Sequence, residues 1–384
     1  MNVRTIFLRS RLAGVVLAAI ASLSAIATRS SGQAATAASA ATTLPARLSS
    51  AEFWKLVTDV SEPGGYFRIT DNFTSNEREI GRLFTMLRER GTTGGVYLGV
   101  GPEQNLTYIA AIRPAMAFII DIRRQAVVQH LMFKAIFEMA ADRADFISIL
   151  FSKPRPQGLR AETPIQQIWE AYWNVASDSA MWVRNYARIV ERLTKAHGFA
   201  FTSEESDQLR WVFDAFYQYG PVISTRGAPS AMRGGGGGGN GSTFADLTGY
   251  STDAAGLPQS FLSHPDHYAY VKSLHERNLI VPVSGDFGGP KALRAIGAWL
   301  RSRGGTVSAF YVSNVEQYLF QDGKQLAFYE NVGSLPVNEA SVFIRPYSMR
   351  RSVTTEPLCP IAPFLGAVQK GVVFTNNDAL ACPR

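Results

Sequence analysis

The stretch Gly94–Arg124, GGVYLGVGPEQNLTYIAAIRPAMAFIIDIRR, limits what this chain can fold into more than any other. It reads as an apolar strand, a glycine turn, a helix, a second apolar strand and an aspartate. Two near-continuous apolar strands joined through a helix make a βαβ unit, and such strands belong to a parallel sheet covered on both faces. The pattern returns downstream as helix YAYVKSLHERN, strand LIVPVSGDF, helix GPKALRAIGAWLRSRGG and strand TVSAFYVSN, with ASVFIRPYSM as a further strand. Between the two halves, residues of about 150–230 carry helical spacing with many aromatics, which predicts a helical insertion whose aromatic stripe is core. Ser203 or Ser206 is the expected cap of its last helix. Residues 49–60 predict an amphipathic helix capped by Ser49 or Ser50, and 78–90 a second. The fold class expected is α/β, with a mostly parallel, Rossmann-like sheet.

The N-terminus predicts export. Arg4, Arg9 and Arg11 precede the apolar run Leu12–Ala27, which ends in the cleavage pattern Ala25-Ile26-Ala27. Residues 1–27 read as a signal peptide, 28–48 as a low-complexity spacer, 49–348 as the folded domain and 349–384 as a C-terminal tail. A periplasmic or secreted location follows, with no stable membrane span once the leader is cleaved. No cysteine near Ala27 implies a lipid anchor. The two cysteines, Cys359 and Cys382, both lie in the tail and predict one disulfide, with two free thiols as the alternative. The net charge of +7 includes three arginines of the leader, and no long Lys/Arg cluster remains, so nucleic acid is not the expected partner. The expected ligand is a small molecule. Oligomeric state is not legible. The run RGGGGGGNGS (233–242) lacks the flanking strand and helix of a phosphate loop and reads as a flexible loop.

The glycine turn carries the chemistry. Gly99 and Gly101 allow close backbone approach to a ligand. Asp121 follows Gly101 by the interval at which an acid at the end of the next strand accepts ribose hydroxyls. The third glycine of the dinucleotide fingerprint is absent. Glu103 stands where a pyrophosphate would meet the helix N-terminus, and a carboxylate there repels phosphate. The expected ligand therefore lacks phosphate and carries positive charge, which favours S-adenosylmethionine over a nicotinamide dinucleotide.

Other residues form smaller groups. Asp71, Asn72, Ser75, Asn76 and Glu77 lie where a lid would close over the strand ends, and read equally well as Asx-turns and a helix cap. Glu62 and Tyr66 share that ambiguity. Arg123 and Arg124 suit an anionic substrate or ion pairs with Asp142 or Asp145. His264, Asp266 and His267 surround a proline and read as turn and cap, so no metal is expected. His130, His197 and His275 read as isolated helix residues. No G-x-S-x-G element is present to suggest a hydrolase.

The segments SEPGGYF, DNFTSNE, GGVYLGVGPEQNLTYIAAIRP, FIIDIRR, ADRADF, HPDHYAYVKSLHERNLIVPVSGDFGGPKAL and FYVSNVEQYLF together resemble a bacterial family with a class I methyltransferase-like Rossmann domain. The resemblance covers roughly residues 50–345 and implies the fold rather than a reaction. In such enzymes the acid of a motif like VSGDF takes the adenine amino group and its apolar neighbour packs on the ring. Asp286 and Phe287 would hold adenine by that resemblance, and Asn314 would stand near the reacting centre. Asp71, Glu77 and Asn314 are the candidates for a catalytic base. The sequence departs from ordinary methyltransferases in GVGPEQ and in the helical insertion. Two readings follow: a methyltransferase, or an exported binding or structural protein that kept the fold and lost the cofactor.

Overall fold

The computed structural model describes residues 43–69, 71–77, 79–227, 242–346 and 355–384. Residues 1–42, which hold the expected leader and most of the expected spacer, and the glycine run at 233–241 lie outside the described residues. About half of the described chain is helical, around one six-stranded sheet.

The strands are β1 (Val96–Gly99), β2 (Met116–Asp121), β3 (Ile280–Ser284), β4 (Val307–Tyr311), β5 (Val342–Ile344) and β6 (Leu358–Pro360). Their order in the sheet is β3-β2-β1-β4-β5-β6. The first five are parallel, and β6 pairs antiparallel with β5. Every residue of β1, β2 and β3 is buried, which is why these strands read as unbroken apolar runs. Pro282 sits in β3 opposite Ile119 without breaking the sheet, because β3 is an edge strand and has only β2 to bond.

Helix Gln104–Ile112 connects β1 to β2. Helix Arg124–Met139 follows β2 and packs on β2 and β3. The chain then runs through Arg143–Phe151, Ile165–Trp173, Ser179–Glu191 and Ser203–Tyr219 before it reaches β3 by way of Pro265–Glu276. The cap of Ser203–Tyr219 is Thr202 rather than either expected serine. Thr202 Oγ1 accepts from the Glu205 amide, and the Glu205 carboxylate accepts from the Thr202 amide. The first helix, Ser50–Val60, is capped in the same way by Ser49 and Glu52.

The tail holds more structure than its sequence announced. It supplies β6 and helices Ile361–Gln369 and Asn376–Ala381, and Cys359 is bonded to Cys382. Among the described residues, no helix is long and apolar enough to cross a membrane.

The chain passes from β1 outward to β2 and β3, then crosses back to β4 on the other side of β1. The strand order thus reverses between β1 and β4. At that point the loops leaving the two strands diverge and open a crevice at their C-terminal ends.

Candidate functional site

The turn after β1 is held from within. Gly99 has no room for a side chain, since a Cβ there would lie 2.0 Å from Asn105 Oδ1. Asn105 donates from Nδ2 to the carbonyls of Val100 (3.0 Å), Gly101 (3.0 Å) and Pro102 (2.7 Å), and its Oδ1 accepts from the Tyr97 hydroxyl at 2.8 Å. Gly101 adopts φ +79°. Its carbonyl accepts a further bond from His130 Nε2 at 2.9 Å, so His130 is not an isolated helix residue. Burial holds the His130 imidazole below its ordinary pKa, and the neutral ring donates through Nε2.

A cavity of about 220 Å³ lies over the C-terminal ends of β1 to β4. Its walls are Val100, Gly101 and Pro102 after β1, Asp121 at the end of β2 and Arg123 after it, Gly285, Asp286 and Phe287 after β3, and Ser313 and Asn314 after β4. Tyr66, Phe67, Ile69, Asn72, Ser75 and Asn76 cover it. The sheet therefore brings Gly101, Asp121, Asp286, Phe287 and Asn314 to one place. Gly99, Glu103, Asp71 and Glu77 do not line it.

Partners already occupy part of that chemistry. Asp121 Oδ1 accepts from the Arg123 amide and Nε, both at 3.0 Å, and Oδ2 accepts from Nη2 at 2.8 Å. Asp286 accepts from the Gly288 amide at 2.9 Å and from Lys324 Nζ at 2.8 Å. The Phe287 ring is stacked on Phe328 with centroids 5.4 Å apart. Gln104 lines the cavity with its Nε2 bonded to the Val100 carbonyl, while its buried Oε1 has no partner among the described residues.

Glu103 departs from the electrostatic expectation. Its carboxylate accepts from the Ser75 amide at 3.1 and 3.2 Å and is buried, so it holds the covering loop rather than facing a ligand. Burial outweighs that hydrogen bond and pushes its pKa up to about 8. At neutral pH the group is mostly protonated, and the repulsion of phosphate inferred for it is lost.

Glu77 sits behind the β4 wall. Its Oε1 accepts from the hydroxyls of Tyr311 and Ser313, the latter at 2.8 Å. Its Oε2 is buried without a partner among the described residues. Burial raises the Glu77 pKa against the lowering effect of both hydroxyls. Ser313, a non-glycine residue at φ +46°, lines the cavity and so links it to Glu77. A serine held in the left-handed region is a local strain of the kind found at functional sites.

The remaining candidates have structural partners. Glu62 accepts the amides of Lys291 and Ala292, each at 2.8 Å, and of Asp286 at 3.1 Å, which ties the covering loop to the start of helix Ala292–Arg301. Arg124 pairs with Glu205 at 2.6 Å and Arg123 with Asp121, so neither meets Asp142 or Asp145; Asp142 pairs with Arg155. Asp266 pairs with Arg113, and among the described residues no cluster suited to a metal ion is present. A wider groove of about 900 Å³ shares Tyr66, Phe67 and Arg123 with the cavity and continues past Arg124 to Trp211.

The family model described as Domain of unknown function (DUF7790) matches residues 72–219 and 247–371, more than half of the chain. The chain belongs to that family. The matched span contains the strand ends and their site residues, whereas Tyr66, Phe67 and Ile69 of the cover lie before it. No curated protein matches the chain.

Proposed function

We propose that this protein binds S-adenosylmethionine in the cavity over β1 to β4 and transfers its methyl group to an acceptor that approaches along the adjoining groove. One observation carries the reading. Four parallel strand ends converge on a cavity at the point where the strand order reverses, with Asp121 closing β2 and Asp286 following β3. The order β3-β2-β1-β4-β5 with a last strand also agrees with a Rossmann-like sheet, except that β6 is reversed.

The residues fit such a ligand in kind. Asp121 keeps acceptor capacity on Oδ2 for a ribose hydroxyl, Gln104 Oε1 is a buried acceptor in want of a donor, and Asp286 and Phe287 stand where the adenine would lie. Gly101 permits close approach. The ligand supplies an electrophilic methyl group, and the chain supplies position, which is most of what methyl transfer needs. An acceptor that must lose a proton would pass it through Ser313 to Glu77, with Asn314 orienting it. Ligand pockets commonly span roughly 300–1,000 Å³. The cavity is smaller, and it joins the wider groove at Tyr66, Phe67 and Arg123, through which a larger ligand would extend.

A second reading is favoured by the Asp121–Arg123 pair. With its main acceptor engaged, the site suits an exported binding protein that kept the fold without the cofactor, in keeping with the leader. Calorimetric titration with S-adenosylmethionine and S-adenosylhomocysteine separates the two. Micromolar binding that Asp121→Ala abolishes supports the transferase; no heat at millimolar ligand rejects it.

A further inference from the structure

Away from the cavity, three side chains that the sequence keeps far apart form a continuous hydrogen-bonded relay. Ser50 Oγ lies 2.8 Å from His197 Nδ1, and His197 Nε2 lies 2.8 Å from Glu138 Oε2. Glu138 is fixed in turn by Lys134, whose Nζ donates to Oε1 at 2.6 Å. The imidazole stacks on Phe199 with centroids 5.0 Å apart.

The charges decide which way the protons point. Burial pushes the Glu138 carboxyl upward, but the hydrogen bond from His197 and the charge and hydrogen bond of Lys134 hold the group below its ordinary value. Glu138 is therefore an ionised acceptor, and His197 must donate to it through Nε2. In the neutral ring that leaves a lone pair on Nδ1, 2.8 Å from Ser50 Oγ, for the Ser50 hydroxyl to donate to. A base oriented by a carboxylate and bonded to a hydroxyl is the arrangement that activates a serine.

Ser50 is not needed for helix capping, because Ser49 already performs that role for Ser50–Val60. The amides of Ser50 and Ala51 open this helix and have no partner among the described residues. They are donors beside the hydroxyl, at the positive end of the helix, where an oxyanion is stabilised. Trp54, one turn on from Ser50, stacks on Phe199 at 4.8 Å and also meets Phe201, which builds an aromatic wall beside the serine.

We propose that Ser50, His197 and Glu138 form an acyl-transfer site, separate from the cavity, for esters with an apolar acyl or aryl group. Ser50 Oγ attacks the carbonyl carbon, and its proton passes to His197 Nδ1. The bond from that carbon to the alkoxy oxygen breaks, and the departing oxygen takes the proton from His197. Water then attacks the acyl-serine by the same route, releasing the carboxylic acid and restoring the Ser50 hydroxyl.

A fluorescent alkyl fluorophosphonate, incubated with the full chain, reads this site directly when peptide mass spectrometry locates the adduct. The expected result is an adduct at Ser50, absent in Ser50→Ala and formed about 100-fold more slowly in His197→Gln and Glu138→Gln, in line with loss of general-base assistance. Circular dichroism identifies any variant that does not fold. No adduct at Ser50 in the wild-type chain overturns the proposal whatever the variants do, and so does an adduct that forms as fast in folded His197→Gln.

Discussion

Arg123 lies two residues beyond Asp121 and closes onto it at both ends, with its amide and Nε on Oδ1 and Nη2 on Oδ2. Both side chains are buried, and Arg123 Nη1 continues to the Ile69 carbonyl at 3.1 Å. The pair thus joins the end of β2 to the segment that covers the cavity, so a group that engages Asp121 meets a carboxylate already bonded to that segment's partner, Arg123.

Removing one partner should therefore cost more than removing both. Arg123→Ala leaves a buried carboxylate uncompensated, for which a loss of about 3 kcal/mol is expected. Asp121→Asn combined with Arg123→Gln should recover most of it. Urea denaturation of Arg123→Ala, Asp121→Asn, Arg123→Gln and the double variant checks this; a double-variant loss equal to the sum of the Asp121→Asn and Arg123→Gln losses would show that the two side chains are not coupled.

The two glycines of the turn serve different ends. At Gly99 the obstacle is space, since a Cβ would press on Asn105 Oδ1 and the Tyr97 hydroxyl. At Gly101 the obstacle is φ, and the nearest atom to a Cβ is Gln104 Nε2 at 3.3 Å. Gly99→Ala is expected to lose about 3 kcal/mol through overpacking, and Gly101→Ala about 1–2 kcal/mol through backbone strain. Asparagine tolerates the left-handed region, so Gly101→Asn should be milder than Gly101→Ala, while Gly99→Asn should be worse than Gly99→Ala. Thermal melts of the four variants read that reversal directly.

What the sequence made legible follows from local rules. β1 and β2 are readable because a strand buried on both faces must be apolar throughout. Gly101, Asp121, Asp286, Phe287 and Asn314 converge because each follows a strand whose neighbours run parallel to it. β6 is three residues long and ends in proline, so no periodicity marks it. The burial of Glu103 depends on Ser75, 28 positions earlier, and a reading of the helix start alone gives the carboxylate a charge that it does not carry. His197 reaches Ser50 across 147 positions and Glu138 across 59, which no local pattern encodes. The Thr202 cap was legible, since Thr202 and Glu205 stand at the spacing of a capping box.

The disulfide fastens the last strand. Cys359 lies in β6 and Cys382 follows helix Asn376–Ala381, closing a loop of 23 positions. A loop of that length contributes about 3 kcal/mol in the chain-entropy model. Cys382→Ser, or treatment with dithiothreitol, should lower the unfolding free energy by that amount. A change of less than about 1 kcal/mol would place the stabilisation of β6 in its pairing with β5 instead.

The raised pKa of Glu103 gives the fold a pH dependence of definite sign. In the unfolded chain the carboxyl titrates near its ordinary 4.5, and in the fold near about 8. Between those values the folded state holds a proton that the unfolded state has released, so stability falls as pH rises. The contribution is fully present below about pH 4.5 and is lost as pH rises through about 8. His130, His267 and His275 act in the opposite sense: burial lowers all three, so their contribution is lost as pH falls below the ordinary histidine range. A single profile therefore mixes the two, and the difference between wild type and Glu103→Gln isolates the first. The glutamine keeps an acceptor for the Ser75 amide and cannot ionise. It should match the wild type near pH 5 and exceed it by about 1 kcal/mol or more at pH 8. Parallel profiles across that range would mean that the carboxyl is ionised in the fold, and the covering loop would then rest on a buried charge at Ser75.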